Sequence, residues 1–370
     1  MIKNISSSIG DGSAAFLQNR NKPIALRYVQ FGKSKDHIMD QAGLPEGICG
    51  VGWGAGARLR PDQKGNRLFM EYSIIIPTCN GEKNIAALLD AIHGQTVQPA
   101  KILVVDSASE DQTAAVSRAH GAEVLVIARE KFDHGGTRDL AFRMTDTPYV
   151  IFMTQDALPM SKDAMERILA HFAKRPDLAI IGGRQVAYPQ ASPQEALVRA
   201  YNYPEQSRYW DQSQCKALGV RAYLISDVFA AYRQDAYLAV GGFDYPLMTN
   251  EDMLITQKLL AAGYGAGYAA DACVYHSHSF TWIQQYRRNY IVGRTLVRYA
   301  ARFQNAREMG EGVALVKSVV GQLLRQGRLG ACIAFAWDCS ARLLGNRMGR
   351  RAEEKEMKIS ETSRNTDGNL

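Results

Sequence analysis

Short apolar runs alternate with segments of helical periodicity through the middle of the chain. The run SIIIP, which follows Tyr72, is continuously apolar, as is typical of a strand buried on both faces of a sheet. Residues 82–95 then place apolar side chains at 85, 88, 89 and 92, the spacing of one helix face. The same alternation predicts further strands at KILVVD, EVLVIA, YVIFMT, LAIIGGRQVAY, DVFAAYR and GYAADACVYH, and helices over 111–120, 136–144, 161–174 and 250–262. This order predicts an α/β fold whose mostly parallel, doubly wound sheet is flanked by helices.

The two ends of the chain differ from this middle part. Residues 1–69 contain the glycine-rich stretch GICGVGWGAGARLRPDQKGN and no periodic apolar pattern, so we expect a poorly ordered extension. Met70 stands directly before the first predicted strand, and a second interpretation is that translation starts there. The pattern indicates an α/β domain over 70–282, amphipathic helices over 283–350 and a charged, disordered tail over 351–370.

The formal net charge of +7 is concentrated near the C-terminus. Residues 284–351 hold thirteen Lys and Arg against three Asp and Glu, which suits an anionic membrane or a nucleic acid equally well on charge alone. No nucleic-acid motif or interleaved aromatic platform accompanies this charge, so we expect no nucleic-acid partner. The six cysteines form no CxxC pair, and the N-terminus lacks the pattern of a signal peptide. We therefore expect a cytoplasmic protein that lies peripherally on the inner face of the cytoplasmic membrane.

Acidic and imidazole side chains follow several of the predicted strands. Asp106, Asp156, the pair Glu251 and Asp252, and the pair His276 and His278 all come after apolar runs, at the sheet edge where open α/β sheets bind ligands. Each has a simpler structural explanation, such as a helix N-cap, a turn, an acidic first helical turn or a hydrogen-bonded histidine pair. Their joint order is what suggests a base contact, a metal site and a general base.

Two loops add candidate nucleotide contacts. The segment PTCNGEKNI offers polar groups after the first strand, and FDHGGTRDLA combines two glycines with an arginine at a predicted helix start. Exposed backbone N–H groups of such a start suit phosphate or ribose oxygens, although a glycine-rich turn with a surface arginine would read the same. The aromatic stretch 190–226 is either a packed helix or part of an acceptor wall.

The absence of other motifs narrows the function. No GxGxxG follows the first or second strand, which argues against a dinucleotide dehydrogenase. A nucleotidyltransferase would need a basic, glycine-rich loop after the first strand, and PTCNGEKN is a poor example of one.

The series PTCNGEKNI, VVDSAS, FDHGGTRDLA, TQDA, GGFD, NED and HSHSF resembles the inverting family 2 glycosyltransferases of the GT-A fold, over residues 72–298. Among them it looks most like the bacterial polysaccharide rhamnosyltransferases. The resemblance implies a GT-A-type, Rossmann-like sheet and transfer of rhamnose from dTDP-rhamnose to a lipid-linked or growing cell-surface polysaccharide, such as an O-antigen or exopolysaccharide. The alternatives are a glycosyltransferase that uses a UDP-sugar, or a non-catalytic nucleotide-sugar-binding protein.

The resemblance also implies roles for individual residues. Asp252 would be the general base, assisted by Glu251, and Gln155 would lie in the donor site. A divalent cation, Mg²⁺ or Mn²⁺, would be bound by Asp156 with His276 or His278. The nucleotide would be bound by Pro77, Thr78, Asn80, Glu82, Asp106, Gly135, Gly136 and Arg138. Three departures from the family pattern are Thr154 at the first Asp of the DxD motif, Asp139 in place of Asn, and Cys79 in place of an aromatic residue.

Overall fold

The computed structural model describes residues 59–61, 68–303 and 309–367. The extension predicted over 1–69 lies outside the described residues, apart from strand β1 (Leu59–Pro61) and the first residues of strand β2 (Leu68–Met70). These two strands pair antiparallel.

The other strands form one mixed sheet. Its order is β5-β4-β3-β6-β10-β8-β11-β7, with β9 also paired to β11. Strands β3, β4, β5 and β6 run parallel to one another, and β8 is parallel to β11, whereas β10 is antiparallel to both β6 and β8. The strands are β3 (Tyr72–Thr78), β4 (Lys101–Asp106), β5 (Glu123–Val126), β6 (Tyr149–Met153), β7 (Leu158–Pro159), β8 (Leu178–Val186), β9 (Arg208–Trp210), β10 (Phe229–Arg233) and β11 (Gly265–Tyr275).

Helices cover both faces of this sheet, so the predicted α/β fold class is confirmed. The helices are α1 (Glu82–His93), α2 (Thr113–Ala119), α3 (His134–Arg143), α4 (Ala164–Lys174), α5 (Pro193–Asn202), α6 (Cys215–Leu218), α7 (Gln234–Ala239), α8 (Glu251–Ala261), α9 (Trp282–Arg298), α10 (Met309–Arg325) and α11 (Leu329–Asp367). Successive residues of β3 point to opposite faces. Ile74 and Ile76 therefore pack with α1 and α4 in one apolar core, and Ile75 packs with α3 and α8 in the other.

The C-terminal helices form the predicted basic extension. Helix α9 packs along α11 at backbone contact distance: a Cβ added to Gly349 would lie 1.9 Å from the Tyr290 carbonyl oxygen. Among the described residues, no helix combines the length and the apolarity needed to cross a membrane.

The tail predicted to be disordered from residue 351 is instead helical as far as Asp367. The reason lies in Glu353, whose side chain is buried and accepts hydrogen bonds from Arg294 and Arg298 of α9. The charged sequence of the tail does not indicate such a contact between residues far apart in the chain.

Candidate active site

One acidic and two imidazole side chains meet at the carboxyl end of the sheet. Strand β7 turns back to pair antiparallel with the end of β11, with Leu158 opposite Tyr275, and this brings Asp156 to the histidines that follow β11. The Oδ2 atom of Asp156 lies 3.5 Å from Nε2 of His276 and 3.6 Å from Nε2 of His278. Their ligand atoms all lie within 4.8 Å of one another, as the ligands of one metal ion would.

A second layer of polar side chains orients this cluster. Nδ1 of His276 lies 2.8 Å from Oε1 of Gln185 and 3.2 Å from Nη1 of Arg199. In the tautomer that donates from Nδ1 to the Gln185 amide oxygen, the Nε2 lone pair is directed at the Asp156 side. Arg199 also donates to Gln185 Oε1 and is held by Glu195. Neither Gln185 nor Arg199 was predicted from sequence, because both lie in ordinary strand and helix positions.

The protonation states suit metal binding. Burial alone would raise the pKa of Asp156, but hydrogen bonding to His276 and the charge of the imidazoles outweigh it and hold the pKa below the usual range. Burial, together with His276, lowers the pKa of His278 to about 4. A carboxylate beside two imidazoles is a donor set that fits a divalent cation.

A second cluster contains the predicted catalytic pair at the start of α8. Glu251 is buried, and its Oε1 atom lies 3.2 Å from Nη1 of Arg138 and 3.6 Å from Nδ1 of His134. Burial raises the pKa of Glu251, but Arg138 and His134 outweigh it, so the net pKa is lowered and Glu251 is ionised. Its carboxylate therefore forms a stable ion pair inside the cleft.

Asp252 has a different environment from its neighbour. The preceding residue, Asn250, has a left-handed backbone with φ of 66°, a conformation that is uncommon outside glycine and turns the chain sharply into α8. Asp252 Oδ1 accepts a hydrogen bond from the backbone N–H of Met253 at 2.8 Å, and among the described residues no donor reaches Oδ2. Burial, and then the charges of Glu251 and Asp227, raise the pKa of Asp252 well above its usual range. A partly exposed carboxylate with one open oxygen and raised basicity suits a general base.

Asp227, which sequence reasoning missed, completes this cluster. Its side chain is buried two residues before β10, where Oδ1 accepts from the Tyr232 hydroxyl at 2.5 Å and Oδ2 lies 3.3 Å from Arg138 Nε. In the sequence Asp227 looked only like the polar start of the strand DVFAAYR.

Both clusters line one cleft of about 920 Å³. The aromatic stretch 190–226 forms both a packed helix and part of the cleft wall. Its helix α5 packs against the C-terminal helices, while Tyr203, Tyr209 and Trp210 line the cleft. Residues of α9 contribute as well, including Arg288, which lies over the ring of Phe280. The cleft thus joins the candidate metal ligands to the candidate base.

The predicted nucleotide-binding loops lie where β3 and β4 end. Asp106 is 1% exposed; Oδ1 accepts from the Thr78 hydroxyl at 3.2 Å, and Oδ2 accepts from the Ser109 N–H at 3.0 Å. Asn80, with φ of 49°, accepts from the Glu110 N–H. The Ser109 hydroxyl donates to Asp106 and accepts from the Asn80 N–H, and the helix predicted over 111–120 begins only at Thr113.

Further predicted residues hold these loops together. Glu82 accepts from the N–H of Gln112, and Pro77 is a partly buried residue directly before the last residue of β3. Gln155, predicted in the donor site, uses both amide atoms on the backbone of Cys79, at 3.0 and 3.2 Å. Contact of these residues with a nucleotide stays a prediction.

The glycines of HGGTR have a packing role that differs from the predicted one. The Gly136 N–H donates to the N-cap residue Asp133 at 2.7 Å, and a Cβ on Gly135 would lie 1.9 Å from the Asp244 carbonyl oxygen. The N–H of Gly136 is therefore engaged within the protein. Likewise, Arg138 is engaged by Asp227 and Glu251, which the sequence pattern did not indicate.

Comparison with known proteins places this geometry in context. The family model "Glycosyl transferase family 2" matches residues 73–241. The O-antigen chain rhamnosyltransferase RfbN of Salmonella typhimurium is 34% identical over 262 residues, which cover 69% of this chain and 82% of that protein. WbaN of Salmonella anatum, with the same description, is 33% identical over 260 residues, covering 69% and 81%.

Among solved structures, the fold is similar to that of the mannosyltransferase PcManGT from Pyrobaculum calidifontis, in complex with GDP-Man and Mn²⁺. The TM-score is 0.51 at 17% identity, covering 76% of this chain and 86% of that one. At this identity the likeness concerns the fold alone.

Proposed function

This chain belongs to glycosyl transferase family 2, and from that premise we propose that it transfers rhamnose from dTDP-rhamnose to a hydroxyl of a lipid-linked or growing cell-surface polysaccharide. That it is a glycosyltransferase follows from the family. The choice of sugar is supported by two relatives described as O-antigen chain rhamnosyltransferases, which align over about four-fifths of their length. The observation that carries the chemistry is the shared cleft, which holds a candidate base and a candidate cation site together.

We assign the general base to Asp252. Its free Oδ2 accepts the proton of the acceptor hydroxyl while that oxygen attacks the anomeric carbon from the side opposite the diphosphate. The bond from the anomeric carbon to the phosphate oxygen breaks, its electron pair leaves with the diphosphate, and the configuration inverts. Glu251 assists by holding Arg138, because its own carboxylate is already paired.

Asp156, His276 and His278 would hold a divalent cation, which when bound supplies positive charge to the departing diphosphate. Two imidazoles beside a single carboxylate favour Mn²⁺ over Mg²⁺, since Mg²⁺ prefers oxygen ligands. In this proposal Gln185 accepts from Nδ1 of His276, the tautomer that leaves Nε2 free to ligate such a cation, and Arg199 holds the Gln185 amide oxygen in place.

The nucleotide would lie over the loops that follow β3 and β4. In this proposal Pro77, Thr78, Asn80 and Glu82 shape the pocket, and Asp106 meets the base edge. Their mutual hydrogen bonds support a preformed site, which lowers the entropy cost of binding. Gln155 would fix the loop at Cys79 from the donor side.

Helix α11 provides the surface for a membrane-bound acceptor. Leu329, Ile333 and Trp337 recur every four residues and are 65%, 73% and 65% exposed, in a segment with an excess of basic residues. An apolar ridge within the basic part of the chain, residues 284–351, suits the interface of an anionic bilayer. We therefore propose docking on the inner face of the cytoplasmic membrane.

The membrane part is tested by flotation with phosphatidylglycerol vesicles at low salt. The wild type should float, whereas the double variant Ile333→Ser, Trp337→Ser should remain in the dense fraction. Wild-type protein that stays unbound would dismiss the membrane proposal and leave the transferase proposal intact.

The transfer itself is tested with a panel of dTDP- and UDP-sugars, with and without Mn²⁺ or Mg²⁺. We expect cation-dependent release of dTDP from dTDP-rhamnose, and a rate in Asp252→Asn that is lower by about 10²–10⁴. Release from UDP-sugars only would refute rhamnose as the donor sugar. Binding of a donor without turnover, even with a polyprenyl-linked acceptor present, would refute the transfer.

A further inference from the structure

We propose that Asp227 is a positioning residue of this transfer, which holds the Arg138 guanidinium against Glu251 and thereby fixes the Asp252 carboxylate in the cleft. The proposal rests on the proposed function, since it concerns the base of that reaction. It adds a residue that no sequence motif indicated.

Arg138 pairs with two acidic side chains from different elements. Its guanidinium is buried between two elements: Nε lies 3.3 Å from Asp227 Oδ2, and Nη1 lies 3.2 Å from Glu251 Oε1. Nη1 also donates to the His134 carbonyl oxygen at 3.1 Å, which ties the group to α3. Arg138 is therefore an ion-pair partner that Asp227 and Glu251 share.

Asp227 is itself held in position by a hydrogen bond from Tyr232. The Tyr232 hydroxyl donates to Asp227 Oδ1 at 2.5 Å, and Tyr232 lies in the apolar core, packed edge-on against Phe152 and Phe243. The other carboxylate oxygen of Asp227, Oδ2, forms an ion pair with Arg138 Nε at 3.3 Å, although neither of these two atoms makes a hydrogen bond. A buried carboxylate anchored in this way can attract and orient that guanidinium by its charge.

The acidic side chains near Arg138 outnumber it. Three carboxylates, those of Asp227, Glu251 and Asp252, surround one arginine in a buried site, so they cannot all be stabilised by it. The like charges of Glu251 and Asp227 raise the pKa of Asp252, and removal of one of them should lower it again. The groups facing Asp252 from the surrounding elements are Glu251 on α8, Arg138 on α3, Asp227 before β10, Tyr232 on β10 and Tyr203 after α5.

The test compares Asp227→Asn with the wild type in steady-state transfer across pH. The amide keeps the shape and can still accept from Tyr232, but it removes the charge next to Arg138. We expect kcat to fall about tenfold, the donor KM to change less than about threefold, and the acidic limb of the kcat profile to move about one unit lower. A role confined to folding would lower the melting temperature without moving that limb.

Asp163→Asn is the matched control, because it removes the partner of Arg167 on α4, outside the cleft. It should leave kcat and the pH profile unchanged. If Asp227→Asn does not fold, Tyr232→Phe serves instead: it removes the anchor, and a lower kcat at unchanged donor KM supports the proposal.

A wild-type rate and pH profile in Asp227→Asn, or a wild-type kcat in Tyr232→Phe, would overturn the role of Asp227 while leaving the transferase proposal standing. Wild-type protein that transfers no sugar from any donor would overturn both. The two failures are therefore distinguishable.

Discussion

Nδ1 of His276, the residue after β11, lies 2.8 Å from Oε1 of Gln185 on β8. When Nδ1 carries the proton and donates to this oxygen, Nε2 presents its lone pair to Asp156, 3.5 Å away. Because β8 and β11 are adjacent parallel strands, this contact also ties the candidate metal site to β8.

Gln185→Leu should therefore weaken cation binding without removing a ligand. The leucine cannot accept from Nδ1, so His276 loses its preferred tautomer, and Mn²⁺ affinity should fall by about 10–100-fold. Isothermal titration of Mn²⁺ measures this directly. Gln326→Leu, an exposed position after α10, is the control and should bind as the wild type does. Equal affinities in all three proteins would contradict the orienting role of Gln185.

Much of the sheet could be predicted because each strand carries its own signal. The run KILVVD is continuously apolar and ends at Asp106, and the structure places β4 over those six residues. Helix α1 follows its apolar stripe closely, beginning at Glu82. The strands and helices that depend on local apolar periodicity can therefore be predicted from the sequence.

Contacts between distant segments could not be predicted in the same way. The helix predicted over 161–174 begins only at Ala164, and the sequence DVFAAYR does not indicate that β10 runs antiparallel to its neighbours. Asp227 and Gln185 gain their roles only from partners 89 and 91 residues away, namely Arg138 and His276. A single sequence does not record such pairings.

We expect the ionised Asp252 side chain to lower the free energy of unfolding at neutral pH. Its pKa is raised in the folded protein, so the group favours folding below its unfolded pKa, and this contribution is lost as the pH rises through the folded pKa. At neutral pH Asp252→Asn should therefore be more stable than the wild type, by about 1 kcal/mol or more.

Thermal unfolding at several pH values checks this expectation. The gain should shrink towards acidic pH, where the wild-type carboxyl is protonated as well. Asp163→Asn provides the comparison, since the pKa of Asp163 is lowered by Arg167 and its loss should destabilise slightly. A destabilised Asp252→Asn at neutral pH would show that the carboxylate is not strained in the folded state.

The contact between α9 and α11 depends on glycine at particular positions. A Cβ at Gly349 would lie 1.9 Å from the Tyr290 carbonyl oxygen, whereas a Cβ at Gly330 of the same helix would meet nothing within 4 Å. Gly349→Ala should destabilise by about 1–3 kcal/mol because the helices must separate. Gly330→Ala should stabilise by about 0.5–1 kcal/mol through helix propensity. Urea unfolding of both variants distinguishes packing from propensity, and two effects of the same sign would contradict the close approach.

Glu353 supplies the polar half of the same contact. Its side chain is 2% exposed and accepts from Arg294 at 2.6 Å and from Arg298 at 2.7 Å. Burial raises the pKa of Glu353, but the two arginines outweigh it and lower the pKa overall. The ionised group thus stabilises the fold above the unfolded pKa of glutamate, and this contribution is lost as the pH falls.

Glu353→Gln should cost about 1–3 kcal/mol at neutral pH, because the partly buried Arg294 and the exposed Arg298 lose the buried carboxylate that they share. The exposed neighbour in Glu354→Gln should change stability by less than about 0.5 kcal/mol. Chemical unfolding at neutral and acidic pH measures both, and the deficit of Glu353→Gln should narrow on the acidic side. A deficit that stays constant with pH would indicate that shape, rather than charge, holds α11 against α9. Since α9 also lines the cleft with Arg288, loosening this contact should raise the acceptor KM as well.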